Sequence, residues 1–102
     1  MTMIYITQLI YLKTGQEEIF HQFEDIAIPL IRKYGGSLLL RLRPDDKAYV
    51  ENHIEKPYEL HLVAFDSEQD FEKFSHDEER KRFLHLKEQS IRSVLLIKGA
   101  SI

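Results

Sequence analysis

Two neighbouring segments carry the side chains with which this chain could do chemistry: Arg41 and Arg43 in SLLLRLR, and Glu59 and His61 in YELHLVAF. A guanidinium beside an imidazole can hold a small carboxylate or an enolate. Its positive charge also favours the neutral imidazole, the form that accepts a proton. Tyr5 and Thr7, in the YITQL segment near the N-terminus, add a phenol and a hydroxyl. His53, in a long polar stretch, could close over whatever is bound. On this reading His61 and Arg41 are the catalytic pair, and Tyr5, Thr7, Glu59, Arg43 and His53 bind the substrate. The competing account is structural. A cross-strand Glu59–Arg43 pair contributes roughly 0.2–1 kcal/mol, and His61 is satisfied at a dimer interface.

Other chemistries are poorly represented. His21 and Asp25 stand four apart on a helical segment and could offer two metal ligands, but no third is evident, so a weakly interacting solvated pair is the simpler expectation. His76 falls in a turn between helices. The chain has no cysteine, which removes disulfides, thiolate metal sites and cysteine nucleophiles together. It has no Gly-rich phosphate loop, nucleophile elbow or HExxH pattern. No metal is expected. A net charge of −3 gives no footprint for nucleic acid, since the one dense basic run, Arg80-Lys81-Arg82, directly follows Asp77-Glu78-Glu79.

The elements that must position these residues read out in order. Met3 to Leu12 alternates as a strand, with Ile4, Ile6, Gln8 and Ile10 on one face and Tyr5, Thr7, Leu9 and Tyr11 on the other. Thr14 and Glu17 fit a capping box opening a helix whose apolar stripe (Ile19, Phe20, Phe23, Ile26, Ala27, Leu30, Ile31, Tyr34) runs through Pro29 to Gly35-Gly36. That stripe predicts one helix from about Gly15 to Tyr34. Ser37 to Arg43 is a second strand, and residues 45–57 form a polar connection longer than ordinary hairpin loops. Tyr58 to Phe65 is the central strand. Its Tyr58, Leu60, Leu62, Ala64 face is expected to receive the helices; Glu59, His61, Val63 and Phe65 then face away. Ser67 caps a second helical region, restarted near Asp77, and Ile91 to Lys98 is the last strand.

The order β-α-β-β-α-β predicts an α+β, ferredoxin-like domain spanning residues 1–102: a four-stranded antiparallel sheet with helices on one face. The first and third strands are expected as central, parallel neighbours. Pairing Leu42 with Leu60 places Arg41 near His61 and Arg43 near Glu59, because a one-residue slip would flip every side chain. Helices on one face leave apolar residues wet on the other, so a homodimer is expected. With 43% hydrophobic and 30% charged residues the chain is globular. No basic leader with a cleavage site is visible, nor the roughly 20-residue apolar run of a membrane helix, so the expected location is the cytoplasm.

PYELHLVAF, DSEQDFEKF, HDEERKRF and the closing VLLIKG, together with YITQL, the internal Pro29 and Tyr34-Gly35-Gly36, resemble the dimeric α+β barrel proteins grouped as domain of unknown function 1330. Where that family has Ser-Pro-Glu-Tyr, this chain has His76-Asp77-Glu78-Glu79. The resemblance implies a homodimer and a small-molecule cavity. The wider superfamily implies cofactor-independent monooxygenases, lactone isomerases, haem-degrading oxygenases or plain binding modules. Haem-degrading members carry a histidine on the second helix and depend on a tryptophan. Here His85 stands at a different spacing and there is no Trp, so no cofactor is expected and haem is only a minor alternative. The function these readings support is binding, and turnover without a cofactor, of a small organic or aromatic acid. The alternative is a non-catalytic homodimeric module.

Overall fold

The computed structural model describes residues 2–102. Strand β1 (Ile4–Leu12) leads to helix α1 (Glu17–Lys33), then β2 (Gly36–Leu42), a 3₁₀ turn (Asp46–Ala48), β3 (Glu59–Phe65), three short helices α2 (Glu68–Ser75), α3 (Glu78–Arg82) and α4 (Leu84–Ser90), and β4 (Ile91–Gly99). The strands form one sheet in the order β2-β3-β1-β4, the ferredoxin-like topology. All pairings are antiparallel, including β1 with β3, where Thr7 lies opposite Leu62. This corrects the expectation of parallel central strands. The α1 crossover returns β2 in the direction of β1, and the hairpin from β2 then turns β3 against both.

Helix α1 runs unbroken through Pro29, as its stripe predicts, burying Phe20, Phe23, Ala27, Leu30 and Ile31. Pro29 lies on the exposed side, so the carbonyl it leaves without an N–H partner, that of Asp25, also faces outward. The start differs from expectation. Gly15 takes a left-handed φ of 77°, and Gln16 N–H donates to the Lys13 carbonyl at 3.2 Å. That turn makes Gln16 the N-cap, and Thr14 caps nothing. Ser67 does cap α2, accepting from Asp70 N–H at 3.1 Å, and Asp77 caps α3, accepting from Arg80 N–H at 2.9 Å.

Sheet faces are assigned by β1. Ile6 and Ile10 are 1% exposed beneath the helices, and the register sets Ile6 opposite Val63 and Ile10 opposite Glu59. Glu59, His61, Val63 and Phe65 therefore lie under the helices, and Leu60 and Leu62 face away. The expected assignment of these two faces is thereby reversed. The third strand alone offers four apolar residues on one side and only two on the other; the isoleucines of its neighbour outweigh that difference. A β-bulge completes the arrangement. Leu38 opposes Val63 and Leu40 opposes Leu62, so β2 spends two residues where β3 spends one. Leu38 thus stays on the helix side while Arg41, opposite His61, joins it. Without the extra residue Leu38 and Arg41 would lie on opposite faces.

Candidate functional site

The bulge and the β2–β3 register deliver two guanidiniums to one carboxylate. Glu59 is fully buried. Its Oε2 accepts from Arg41 Nε at 2.9 Å and its Oε1 from Arg43 Nε at 2.7 Å. His61, two residues along the same strand face, bonds Oε2 through Nε2. Burial pushes the Glu59 carboxyl up, but the bonds from His61, Arg41 and Arg43 together outweigh it and hold the group at about 2. Glu59 is thus ionised near neutrality and accepts only. The shared proton belongs to His61 Nε2, which leaves Nδ1 as the basic nitrogen. Arg43 also lies over the Tyr58 ring, 5.4 Å from its centroid.

Above the imidazole is a cavity of about 420 Å³ between the sheet and the helices, within the size range of small-molecule sites, roughly 300–1,000 Å³. Ile6, Ile10, Val63 and Phe65 from the sheet and Phe23 and Phe71 from the helices make its walls largely apolar. Gln8, Glu24, His61, Ser75, Arg80 and Lys87 are the polar groups. Glu24 comes from α1, is 7% exposed, and is pushed up by burial, an effect that the nearby His61 partly offsets.

Glu24, Glu59 and His61 bring potential ligand atoms within 4.8 Å of one another. The charge distribution nevertheless opposes a cation there. Both Glu59 oxygens already accept from guanidiniums, and those two positive charges border the place a metal would occupy.

The structure brings together four of the residues singled out from sequence: His61, Arg41, Glu59 and Arg43. It separates the other three. Tyr5 and Thr7 pair with Ala64 and Leu62, so their side chains lie on the opposite face of the sheet. The side chain of His53 is 84% exposed in the long loop, its nearest charged neighbour Glu51 at 4.0 Å. Arg41 contacts Glu59, an arrangement that makes it a support for the carboxylate. His21 bonds the Tyr58 hydroxyl at 2.7 Å. Glu24, Arg80 and Lys87 were missed. Glu24 had a signal, because it occupies a position inside the apolar stripe of α1, between Phe23 and Ala27, where a carboxylate is out of place. Gln8 was visible as the one polar residue on the isoleucine face of β1.

No protein-family model matches the chain, and no curated protein sequence matches it. Solved structures do. A protein of unknown function from Rhodopseudomonas palustris superimposes with a TM-score of 0.84 at 12% identity, covering 99% of this chain and 83% of its own. A Dabb family protein with a ferredoxin-like fold from Mesorhizobium loti gives 0.74 at 16% identity, covering 100% and 99%. A dimeric ferredoxin-like protein of unknown function from Jannaschia gives 0.72 at 14%, covering 97% and 99%. At these identities the likeness establishes the ferredoxin-like fold. Among the described residues no helix is long and apolar enough to cross a membrane.

Proposed function

We propose that the protein is a homodimer of the dimeric α+β barrel type, related to the domain of unknown function 1330 proteins. Each subunit binds a small organic acid in the cavity between sheet and helices and acts on it without a cofactor, with His61 as general base. The observation that carries this reading is the Glu59–His61 pair, of which His61 lines the cavity. An ionised carboxylate held by two guanidiniums accepts a hydrogen bond from His61 Nε2–H, which leaves Nδ1 to accept a proton. Glu24, from α1 on the helix side, is pushed up while Glu59 is pushed down. Two carboxyl groups driven apart around one imidazole is the pattern by which acid and base roles are separated near neutral pH. Arg41 is a positioning residue in this scheme.

The homodimer is supported by the face without helices, where Leu40, Leu95 and Ile97 are 43–50% exposed beside half-buried Leu60 and Leu62. A second copy laid on that face would cover it. One observation favours the rival, a non-catalytic homodimeric module: Glu59, Arg41, Arg43 and His61 satisfy one another without a ligand.

Nuclear magnetic resonance of the His61 ring nitrogens decides between them. Adding benzoate, phenylacetate or hexanoate is expected to move those resonances saturably. If no acid of the panel moves them, and His61→Ala lowers the melting temperature sharply, the module reading stands and the enzyme reading fails.

A further inference from the structure

The cavity wall opposite the sheet carries two cations that the protein leaves unpaired. Arg80, from α3, passes between the rings of Phe23 and Phe74, its guanidinium carbon 5.8 and 5.2 Å from their centroids. Its Nη1 donates to the Ser75 carbonyl at 3.2 Å, while its Nε is buried and has no hydrogen-bond partner. Lys87, from α4, lines the same cavity. Burial lowers the pKa of both groups, and for Lys87 the Arg80 charge is the next contribution. The Arg80 charge therefore reaches Lys87 along the helix wall.

Apart from Glu24, whose charge reaches both cations without an ion pair, the acidic groups around them are committed or exposed. Asp77 accepts from Tyr34, Lys33 and the Arg80 backbone. Glu59 is held by Arg41 and Arg43. Glu88, next to Lys87 in the chain, is exposed. Glu24 is the one carboxyl among the residues lining the cavity. None of the ion pairs among the described residues uses Arg80 or Lys87. Two desolvated cations, one with an unused donor, thus face a largely apolar volume. A buried donor without a partner is costly, and charge-assisted bonds to an anion are the strongest way to satisfy it.

We infer that Arg80 and Lys87 form the anchor for the ligand's carboxylate, so the cavity takes an organic monocarboxylate with an apolar body. This inference rests on the proposal that the cavity binds a small acid, and adds which end of the acid goes where. Its carboxylate sits on the helix wall and its apolar body runs along Ile6, Ile10 and Phe71. Glu24, in the field of both Arg80 and His61, then flanks the carbons next to the carboxylate. Inorganic phosphate, as small as the anchor but with no apolar body, is a poor occupant of such a site.

Calorimetric titration of the intact protein with phenylacetate and hexanoate, with the matching amides phenylacetamide and hexanamide, and with inorganic phosphate tests the anchor. The acids are expected to bind at least about tenfold more tightly than their amides. Lys87→Met keeps the aliphatic stem, and Lys87 holds no ion pair that folding depends on. It is expected to weaken the acids by about tenfold and leave the amides unchanged. Arg80→Gln should act in the same direction, and Lys87→Met carries the test if that variant misfolds. Amides binding as tightly as acids, or an acid-to-amide ratio unchanged in Lys87→Met, would overturn the anchor and leave the cavity reading standing. Phosphate binding more tightly than the acids would overturn the apolar-body assignment. No binding by any acid or amide would overturn the cavity reading and the anchor with it.

Discussion

Replacing Glu59 with Gln removes the charge that organises the site and has a calculable signature in pH. The folded-state carboxyl is held at about 2 against an ordinary 4.5. At roughly 1.4 kcal/mol for each pH unit, that difference is worth about 3 kcal/mol of stability. The partner side chains Arg41 and Arg43 are 30% and 48% exposed, and solvent screens them, so about 1–2 kcal/mol is the realistic share. The sign follows from a depressed folded-state value. The contribution is fully present above about pH 4.5 and is lost as the pH falls toward 2. Urea denaturation of wild type and Glu59→Gln, at fixed protein concentration and at steps from pH 7 to pH 2.5, reads it directly. Wild type should be the more stable by about 1–2 kcal/mol at pH 7, and the gap should close through the acid range. Two profiles running parallel from pH 5 to pH 2.5 would refute the assignment of Glu59 as an ionised, doubly clamped carboxylate.

Light scattering at micromolar concentration should give about twice the 12.1 kDa chain mass, and Leu95→Lys on the open face should return it to the monomer; a wild-type monomer would end the dimer proposal. Gly36→Ala should destabilise by about 1–3 kcal/mol in urea titration, because the added methyl would meet Ile31 Cγ2 at 2.6 Å and Phe65 Cε1 at 2.7 Å. Pro29→Ala should stabilise by about 1–2 kcal/mol by restoring a bond to the Asp25 carbonyl, and a lower melting temperature would show instead that Pro29 has a packing role. Ser67→Ala should cost about 1 kcal/mol through loss of the α2 cap, read by the same titration.

The layout of the fold was legible because it rests on repeated local signals. The isoleucines of β1, the stripe of α1 and the Gly35-Gly36 stop each agree with the same βαββαβ order. Strand register was legible too: pairing Leu42 with Leu60 brings Arg41 to His61 and Arg43 to Glu59, as in the folded chain. Which face met the helices was not. On β3 alone the apolar count favours Leu60 and Leu62, and a buried Glu-His pair is affordable only once two guanidiniums neutralise it. That compensation depends on the bulge at Leu39, which no run of leucines announces. Arg80 and Lys87 were hidden for a different reason. They sit in a charge-rich stretch that reads as a solvated face, and only the packing of three short helices turns them inward.

Reversing the sheet faces changes where function and assembly lie. Had Glu59 and His61 faced away from the helices, the site would have been shared between subunits, and dimerisation would have built it. With both under α1 and the Arg80 helix, the cavity walls come from one chain, while the exposed leucines of the other face are left for a second copy. In the proposed scheme ligand binding and dimerisation use opposite sides of one sheet. Any coupling between them would run through β3, where His61 on one face alternates with Leu60 and Leu62 on the other. A monomeric Leu95→Lys protein, altered on the edge strand β4 away from β3, should therefore keep the His61 ring response to phenylacetate. A Leu62→Lys protein, altered beside His61 in the chain, should disturb both. If the two variants lost the response equally, the cavity would depend on the dimer after all, and the site would have to be redrawn across the interface.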